Sequence, residues 1–432
     1  MIVRKAIRIP VHYATTQSKL NILDKLTARI TYGIRVISGH VDKDAGLDRT
    51  SIRKAARSSG VAEITGLSSG FIQQCEDKVL WSWKSYKALH RDWEKRLAYH
   101  QECLLSVDDN KRGRKEQYIQ KLIKKEPAPP GFLDKTPCRI DNRTGKIQKS
   151  GVKLTSYWMH ISSLRKGVTI DIPLNPSYYH IKHLEDWSVS DFEVIKREGK
   201  YYAHVSLHKE VVEKQTCSIG GIDQGLNRSI ATVLLQDVPC EELIKNSKEA
   251  LIEKYDDLIA ILQQSKNYRK LRQLRSKRAD VSLNHDRHLA KQVAEFTEGY
   301  YIAIGNTRFG QTQYRGNGMT KMRKRIGKWS YSRQRTLIVL KRAELGYPTM
   351  LVDERFTSRT CHCCGSRLTV RKWVYGNSYI LCHGCDAKID ADINAAYNIA
   401  LRCRDDWLKA QMNFPQKEAS VQDGCPRLKS WE

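Results

Sequence analysis

The chain has 432 residues and carries 75 lysines and arginines against 47 aspartates and glutamates, a formal charge of +28. This excess favours a polyphosphate partner over the substrates of a metabolic enzyme. No apolar run approaches the roughly 18 residues of a membrane-spanning helix, and the first residues lack the apolar centre of a signal peptide. We therefore expect a soluble, intracellular protein with no membrane partner.

The first part of the chain has the pattern of a strand followed by helices. Residues 2–11 alternate like an edge strand. Apolar residues then recur at helical spacing, most clearly between Ile72 and Tyr86. Prolines and Gly131 end this region. We predict a helical domain over residues 18–128, inserted into a β-rich domain.

The β-rich pattern resumes after the helical region. Strand signals return at residues 168–176 and 191–207, and the second stretch has a hairpin turn around residues 197–199. Together with the first strand, these segments predict one β-rich domain made of residues 1–17 and 129–215.

A different domain begins near Ser218, where strands and helices alternate. The sequence SIGGIDQGLNRSIATVLL predicts two strands joined by a glycine-rich turn, and Asp223 falls where the first strand ends. Further strands are predicted at residues 300–306 and 349–354, each preceded by a helix. A carboxylate at the end of a strand can face a ligand instead of the core.

Two cysteine pairs follow the last of these strands. Cys361 and Cys364 form one C-x-x-C motif and Cys382 and Cys385 another, with 17 residues between the pairs. Four thiolates at this spacing predict a structural zinc ion, whose binding would contribute about 10–16 kcal/mol to folding. Cys363 adjoins the first pair and is a competing ligand. Redox chemistry is the alternative for the four cysteines.

The last element that the sequence predicts is a helix of small residues, DADINAAYNIALR, with Asp392 near its start. Strand ends and a helix start that each carry a carboxylate meet the needs of a nuclease with two divalent ions, and oxygen ligands favour Mg²⁺. A helix cap is the alternative for a single aspartate, and Asp390 is the neighbour that can be confused with Asp392. The tail from about Asp405 contains no motif that we recognise.

These motifs resemble those of a known family. GIDQG, TSRTCHCCG with LCHGC, and DADINAAYNI, in that order, are similar to the RuvC-like nuclease of TnpB proteins, the transposon-encoded relatives of type V CRISPR effectors. The resemblance implies a multidomain α+β protein. Its parts would be an RNase H-like (RuvC) α/β domain of residues 216–355 and 390–432, an inserted zinc ribbon of residues 356–389, and a β-barrel wedge domain interrupted by a helical recognition domain.

The resemblance also implies a function. The expected activity is that of an RNA-guided DNA endonuclease, which binds a structured guide RNA (an omega RNA from its own element) and pairs it with double-stranded DNA beside a short adjacent motif. Hydrolysis of the DNA would use two Mg²⁺ ions. Asp223 matches the first catalytic aspartate and Asp392 the last. Such a protein would lie in the bacterial cytoplasm, associated with the nucleoid.

One departure from the family pattern leaves two alternatives. Most members carry a glutamate at the end of the strand corresponding to YIAIGN, where this chain has Gly305 and Asn306. Either the protein is a nuclease-inactive RNA-guided DNA-binding repressor or targeting factor, or the carboxylate is relocated, as in a TnpB branch that resembles the eukaryotic Fanzor proteins. Glu354 is at the relocated position, on a strand that can run alongside the first. We favour relocation, because Asp223 and Asp392 are both retained.

Two more carboxylates lie near the ends of the predicted strands, but neither is well placed. Asp353 should face away from Glu354 by strand alternation, and Glu298 precedes its strand instead of ending it. The motifs also suit a miniature type V CRISPR effector and a DNA transposase. A transposase is less favoured, because cutting alone does not join strands.

Two basic segments are candidates for nucleic-acid contact. In KNYRKLRQLRSKR cations surround a helix, and in MTKMRKRIGKWSYSR they alternate with aromatic residues that can stack on bases. A solvated helix face with a buried tryptophan is the alternative. The candidate residues are Arg269, Lys270, Arg272, Arg275, Lys324, Arg325, Lys328 and Trp329. Gly310, Gly316 and Gly318 predict a mobile loop over the site.

Overall fold

The computed structural model divides into two compact units, Arg4–Lys209 and Met1–Val3 with Glu210–Glu432. The residues described are 1–42, 46–106, 108–132, 135–165, 167–306, 325–374 and 377–412, without the side chains of residues 109–111. Within these ranges the chain is a mixed α+β protein with four sheets, which confirms the broad class predicted from the sequence. No helix in the same ranges is long and apolar enough to cross a membrane.

The unit Arg4–Lys209 combines helices with two sheets. Its helices are α1 (Gln17–Gly39), α2 (Arg49–Ser58), α3 (Val61–Thr65), α4 (Ser69–Leu105), α5 (Asp109–Ile123) and α6 (Tyr178–Asp186). Its strands are β1 (Ile2–Pro10), β2 (Cys138–Ile140), β3 (Gly145–Lys149), β4 (Tyr157–Ser162), β5 (Thr169–Pro173), β6 (Ser188–Arg197) and β7 (Lys200–Glu210). One sheet has the order β1-β7-β6-β2 and the other β3-β4-β5.

Several elements predicted for this unit are confirmed. β1 lies at the edge of its sheet, and helices α1 to α5 occupy the region expected to be helical. The hairpin turn between β6 and β7 falls at Glu198 and Gly199, which have φ angles of 50° and 78°. Glycine adopts such angles without strain, which explains a turn at this position.

The second unit contains a five-stranded sheet and a smaller three-stranded one. The large sheet is formed by β8 (Ser218–Asp223), β9 (Arg228–Leu234), β10 (Cys240–Lys245), β11 (Tyr300–Gly305) and β12 (Thr349–Val352). The small sheet is formed by β13 (Thr369–Val374), β14 (Asn377–Cys382) and β15 (Lys388–Asp390). The helices are α7 (Lys248–Gln264), α8 (Tyr268–Phe296), α9 (Tyr331–Glu344), α10 (Ala391–Leu401) and α11 (Arg404–Met412).

The large sheet has the order β10-β9-β8-β11-β12. β8, β9 and β10 are antiparallel neighbours, whereas β11 is parallel to both β8 and β12. The expectation that the strand before Glu354 runs alongside the first strand is therefore wrong, because β11 lies between them. Local sequence pattern does not determine which parallel strands become neighbours.

Helices cover both faces of this sheet. On one face, Ile222 packs with Val293 of α8 and Ile338 of α9. On the other face, α10 lies directly against β8, where a Cβ atom at Gly221 would overlap the backbone carbonyl oxygen of Ala396. Glycine at residue 221 therefore permits the close approach of helix and strand.

A buried carboxylate holds three helices together. Asp286 of α8 is fully buried, and Lys248 Nζ of α7 lies 3.0 Å from both of its oxygen atoms. From the start of α9, Ser330 Oγ donates to Asp286 at 2.8 Å, Arg333 Nε at 2.7 Å and Gln334 Nε2 at 3.0 Å. Asp286 thus fixes the position at which α9 begins.

This arrangement predicts a loss of stability in Asp286→Asn. Burial raises the pKa of Asp286, but hydrogen bonds from His285, Ser330 and Lys248 outweigh it and hold the pKa below its usual value. Such a carboxylate stabilises the folded state above the unfolded-state pKa of about 3.9, and the contribution is lost as the pH falls below that value. In urea denaturation at pH 7, the variant should lose about 3–5 kcal/mol, because Lys248 keeps a buried charge without its counterion.

The control for this measurement is Asp280→Asn, at an exposed position of the same helix. It should change the free energy of unfolding by less than about 0.5 kcal/mol. Equal stability of the Asp286 and Asp280 variants at pH 7 would contradict the structural role of Asp286.

Candidate active site and metal centre

Asp223 is the last residue of β8, at the centre of the large sheet. Ile304 of β11 pairs with Ile222. The next residues, Gly305 and Asp223, are therefore level on parallel strands about 4.8 Å apart. Side chains at level positions point to the same face of a sheet. A side chain at residue 305 would thus stand beside the Asp223 carboxylate.

The side chain of Glu354 occupies the space that Gly305 leaves open. A Cβ atom on Gly305 would lie 2.7 Å from Glu354 Oε2 and 3.3 Å from both Glu354 Cβ and Ile399 Cδ1. Gly305 pairs with Val352 of β12, and Glu354 follows two residues later. The chain therefore carries a carboxylate in this space although residue 305 has no side chain.

Asp390 and Asp392 have different surroundings at the start of α10. Asp390 Oδ1 accepts hydrogen bonds from the N–H groups of Asp392 at 3.0 Å and Ile393 at 3.3 Å. Its Oδ2 lies 2.6 Å from Arg228 Nη1. Asp392 is half-buried, with carboxylate oxygens 3.6 Å from Arg228 Nη1 and 3.8 Å from Arg371 Nη2. Asp390 is thus the helix cap, and Asp392 is not.

Asp223, Glu354 and Asp392, called the carboxylate cluster below, influence one another electrostatically. Burial raises the pKa of Asp223 well above its usual value, the charges of Asp392 and Glu354 raise it further, and Arg371 lowers it. Burial and the charge of Asp390 raise the pKa of Asp392, against the effect of nearby arginines. A divalent cation would offset this repulsion, and carboxylate oxygens suit Mg²⁺.

Two asparagines of α10 hold the segment that follows Glu354. Asn394 and Asn398 lie one helical turn apart, and the Nδ2 atom of each donates to the backbone carbonyls of Thr357 and Thr360. One helix therefore both carries Asp392 and fixes the loop of Glu354. This role was not predicted from the sequence. Its signal is the i, i+4 spacing of two asparagines on one helix face.

The remaining acidic candidates lie outside the carboxylate cluster. Asp353 is exposed, and its Oδ1 and Oδ2 accept from the N–H and Nε of Arg355 at 3.0 and 2.7 Å. Its carbonyl accepts a hydrogen bond from Arg402, which follows α10. Glu298 precedes β11 and is 3.6 Å from Lys214 Nζ. Because β12 ends at Val352, strand alternation does not extend to Asp353, and its orientation relative to Glu354 stays a prediction.

The four cysteines proposed as zinc ligands lie together. The sulfur atoms of Cys361, Cys364, Cys382 and Cys385 are within 4.8 Å of one another. Cys361 Sγ is 3.7 Å from Cys385 Sγ, and Cys364 Sγ is 3.5 Å from Cys382 Sγ. Zinc–sulfur bonds of about 2.3 Å in a tetrahedron separate the sulfur atoms by about 3.8 Å, whereas a disulfide requires about 2.05 Å. The geometry thus fits a zinc ion.

Cys363 is not one of these four residues. It is exposed, and its Sγ lies 3.5 Å from His362 Nε2. His362 stacks on Tyr397 of α10 with ring centroids 4.0 Å apart, and its N–H donates to Asn394 Oδ1 at 2.9 Å. The backbone between the first two zinc ligands is therefore anchored to α10.

The basic residues proposed to contact nucleic acid fall into two groups. Four are exposed on α8: Arg269, Lys270, Arg272 and Arg275. Arg325 Nε lies 2.8 Å from Glu249 and Lys328 Nζ 2.6 Å from Asp256, while Trp329 is half-buried. Arg325 and Lys328 thus have acidic partners within the protein, and the role of both groups in nucleic-acid contact stays a prediction. Lys324, Gly310, Gly316 and Gly318 lie outside the described residues.

Comparison with solved structures identifies the class of fold. The C2c1 protein of Alicyclobacillus acidoterrestris, in complex with single-guide RNA, matches 92% of this chain and 88% of its own, with a TM-score of 0.56 and 8% identity. The Cas12f1-sgRNA-target DNA complex matches 92% and 99%, with a TM-score of 0.48 and 13% identity. The mini-RNA-guided endonuclease CRISPR-Cas phi3 matches 92% of each chain, with a TM-score of 0.43 and 10% identity. The likeness to C2c1 establishes a shared fold alone.

A model of one protein family matches part of the second unit. The model described as Cas12f1-like, TNB domain, matches residues 331–399, a range that includes Glu354, the four cysteines and Asp392. The chain is thus similar to TnpB proteins and miniature type V effectors, and the resemblance found in the sequence is confirmed. Its relation to the branch shared with Fanzor stays a prediction. No curated protein matches the sequence.

The cysteine geometry predicts different effects for two neighbouring thiols. Cys364→Ser should lose zinc from the purified protein, because three thiolates leave the tetrahedral site incomplete. Cys363→Ser is the matched control and should keep its zinc. Metal content is measured by mass spectrometry. Equal zinc content in the two variants would contradict the assignment of the ligands.

Proposed function

We propose that this chain is an RNA-guided DNA endonuclease of the TnpB and miniature type V kind. It would hydrolyse DNA at the carboxylate cluster of Asp223, Glu354 and Asp392. The proposal combines the family likeness over residues 331–399 with three carboxylates at one end of a five-stranded sheet. Neither observation alone specifies a nuclease, but together they favour one.

The proposed domains follow from the same resemblance. A RuvC-like domain would comprise residues 216–355 and 390–432, with a zinc ribbon of residues 356–389 inserted. A β-barrel wedge domain would comprise residues 1–17 and 129–215, and a helical recognition domain residues 18–128. The order β10-β9-β8-β11-β12, with two antiparallel and two parallel pairings and helices on both faces, supports an RNase H-like domain.

The position of the Glu354 side chain beside Gly305 is the observation that carries the proposed activity. Gly305 is level with Asp223 across β8 and β11, which is where most family members have their glutamate. Glu354 Oε2 lies 2.7 Å from the position of a Cβ atom on Gly305. A carboxylate at this point can act with Asp223 and Asp392 on the same substrate, so the loss of the usual glutamate does not imply an inactive protein.

The cluster would hold two Mg²⁺ ions. When bound, these ions would supply an activated water and stabilise the leaving oxygen of the phosphodiester. Asp223, Glu354 and Asp392 provide hard oxygen ligands. Burial raises the pKa values of Asp223 and Asp392, and neighbouring carboxylates raise them further; bound cations would relieve that repulsion.

Two arginines border the cluster and limit its charge. Arg228 Nη1 joins Asp390 and Asp392, and its Nη2 donates to Asn377 Oδ1 at 3.1 Å. Arg371 Nη2 approaches Asp392 from β13. Both guanidinium groups can attract the phosphate backbone of a substrate strand. Arg228 also ties β9 to the small sheet and thus orients Asp392.

The proposed partners are a structured guide RNA and a target double-stranded DNA. The solved C2c1 structure contains a single-guide RNA, and the formal charge of +28 suits a polyphosphate partner. The exposed cations of α8, such as Arg269 and Arg272, are candidates for contact with phosphates. Sequence recognition would reside in the pairing of guide and target.

The proposal predicts that Glu354→Gln abolishes cutting. Loss of one metal ligand should reduce cleavage of matched DNA by at least about 100-fold, while target binding stays close to that of the unmodified protein. The ribonucleoprotein is purified, its RNA is sequenced, and a matched DNA library is offered with Mg²⁺. Asp353→Asn is the control, because Asp353 binds its own loop, and it should cut normally.

Two further outcomes of this experiment have definite meanings. Near-normal cutting by Glu354→Gln would refute the role of Glu354. Binding of matched DNA without any cutting by the unmodified ribonucleoprotein would refute the endonuclease and favour the inactive RNA-guided binder.

A further inference from the structure

The edge strand of the small sheet presents two different faces. β13 pairs with β14 on one side and lies at the edge of the order β13-β14-β15. By strand alternation, Arg371 and Trp373 share one face, and Val370 and Val374 share the other. Trp373 is 61% exposed, which is unusual for so large an aromatic side chain.

Arg371 connects Trp373 to the carboxylate cluster. Its guanidinium carbon lies 5.1 Å from the centroid of the Trp373 ring. Its Nη2 donates to Ser378 Oγ at 2.7 Å and lies 3.8 Å from Asp392 Oδ1. Successive nucleotides of a stacked strand are about 3.4 Å apart. The distance from Trp373 to Asp392, bridged by the one side chain of Arg371, therefore corresponds to a few nucleotides of a bound strand.

A second exposed aromatic residue follows Glu354 closely in the sequence. Phe356 follows Glu354 by two residues, is 50% exposed, and has the guanidinium carbon of Arg367 at 4.8 Å from its ring centroid. Exposed rings paired with cations are the combination that binds single-stranded nucleic acid, since bases stack on the rings and phosphates contact the cations.

We propose that Trp373 is a base-stacking residue that positions single-stranded DNA at the carboxylate cluster. The face it shares with Arg371 leads to Asp392, so a base stacked on Trp373 helps to hold the strand whose phosphate enters the cluster. The positive charge of Arg371 beside the Trp373 ring suits the DNA backbone. This inference rests on the proposed nuclease function and adds to it the residue that holds the substrate strand.

Stacking is tested first by fluorescence, without any need for cleavage. A short single-stranded DNA carrying 2-aminopurine is added to the ribonucleoprotein with Glu354→Gln. Stacking on Trp373 should quench the probe, Trp373→Ala should restore its fluorescence and weaken binding about tenfold, and Trp373→Phe should retain most of the quenching. Val370→Ala, on the opposite face of β13, is the matched control and should behave like the parent protein. Equal quenching with and without Trp373 would overturn the proposal.

Steady-state kinetics of an active ribonucleoprotein provide a second test of the role of Trp373. Trp373→Ala should raise KM for a short single-stranded DNA about tenfold and leave kcat nearly unchanged. A change in kcat with KM unchanged, or Trp373→Phe as defective as Trp373→Ala, would indicate a structural role and overturn the proposal. Absence of cleavage by the unmodified protein would refute the nuclease function instead, and the fluorescence result would still decide the role of Trp373.

Discussion

The contact between helix α10 and strand β8 is the constraint on which the candidate site depends. Gly221 allows the helix backbone to touch the strand, which brings Asp392 to the end of the sheet where Asp223 lies. The same helix uses Asn394 and Asn398 to hold the loop after Glu354. A single helix thus determines the relative positions of all three carboxylates, and a second glycine, Gly305, leaves room for one of them.

The small sheet is attached to the same helix and is not an independent appendage. His362, between two proposed zinc ligands, stacks on Tyr397 of α10, and Arg228 links Asn377 of β14 to Asp390. Zinc binding would therefore stabilise the orientation of Asp392 and of Arg371 as well as the ribbon itself. The cysteine pairs, Glu354 and Asp392 accordingly occur in one short stretch of sequence.

Much of this site could be predicted from residue patterns, because the relevant signals are local. Cysteine spacing suffices for the proposed zinc ligands and strand-terminal acids for Asp223, whereas Glu354 is singled out only by the resemblance to a TnpB branch. The order of the parallel strands could not be predicted, because it depends on tertiary packing; β11 lies between β8 and β12. The role of Arg228 could not be predicted either, since it acts through contacts with residues far away in the sequence. The spacing of Asn394 and Asn398 indicates a shared helix face but not the loop that it binds.

The central claim is that Glu354 supplies the carboxylate that residue 305 lacks. It is tested most directly by returning the carboxylate to strand β11 in the double variant Gly305→Glu with Glu354→Ala. Because the two side chains compete for one space beside Asp223, the double variant should recover part of the cutting of matched DNA that Glu354→Ala loses. A double variant that binds matched DNA normally but cuts no better than Glu354→Ala would contradict the account.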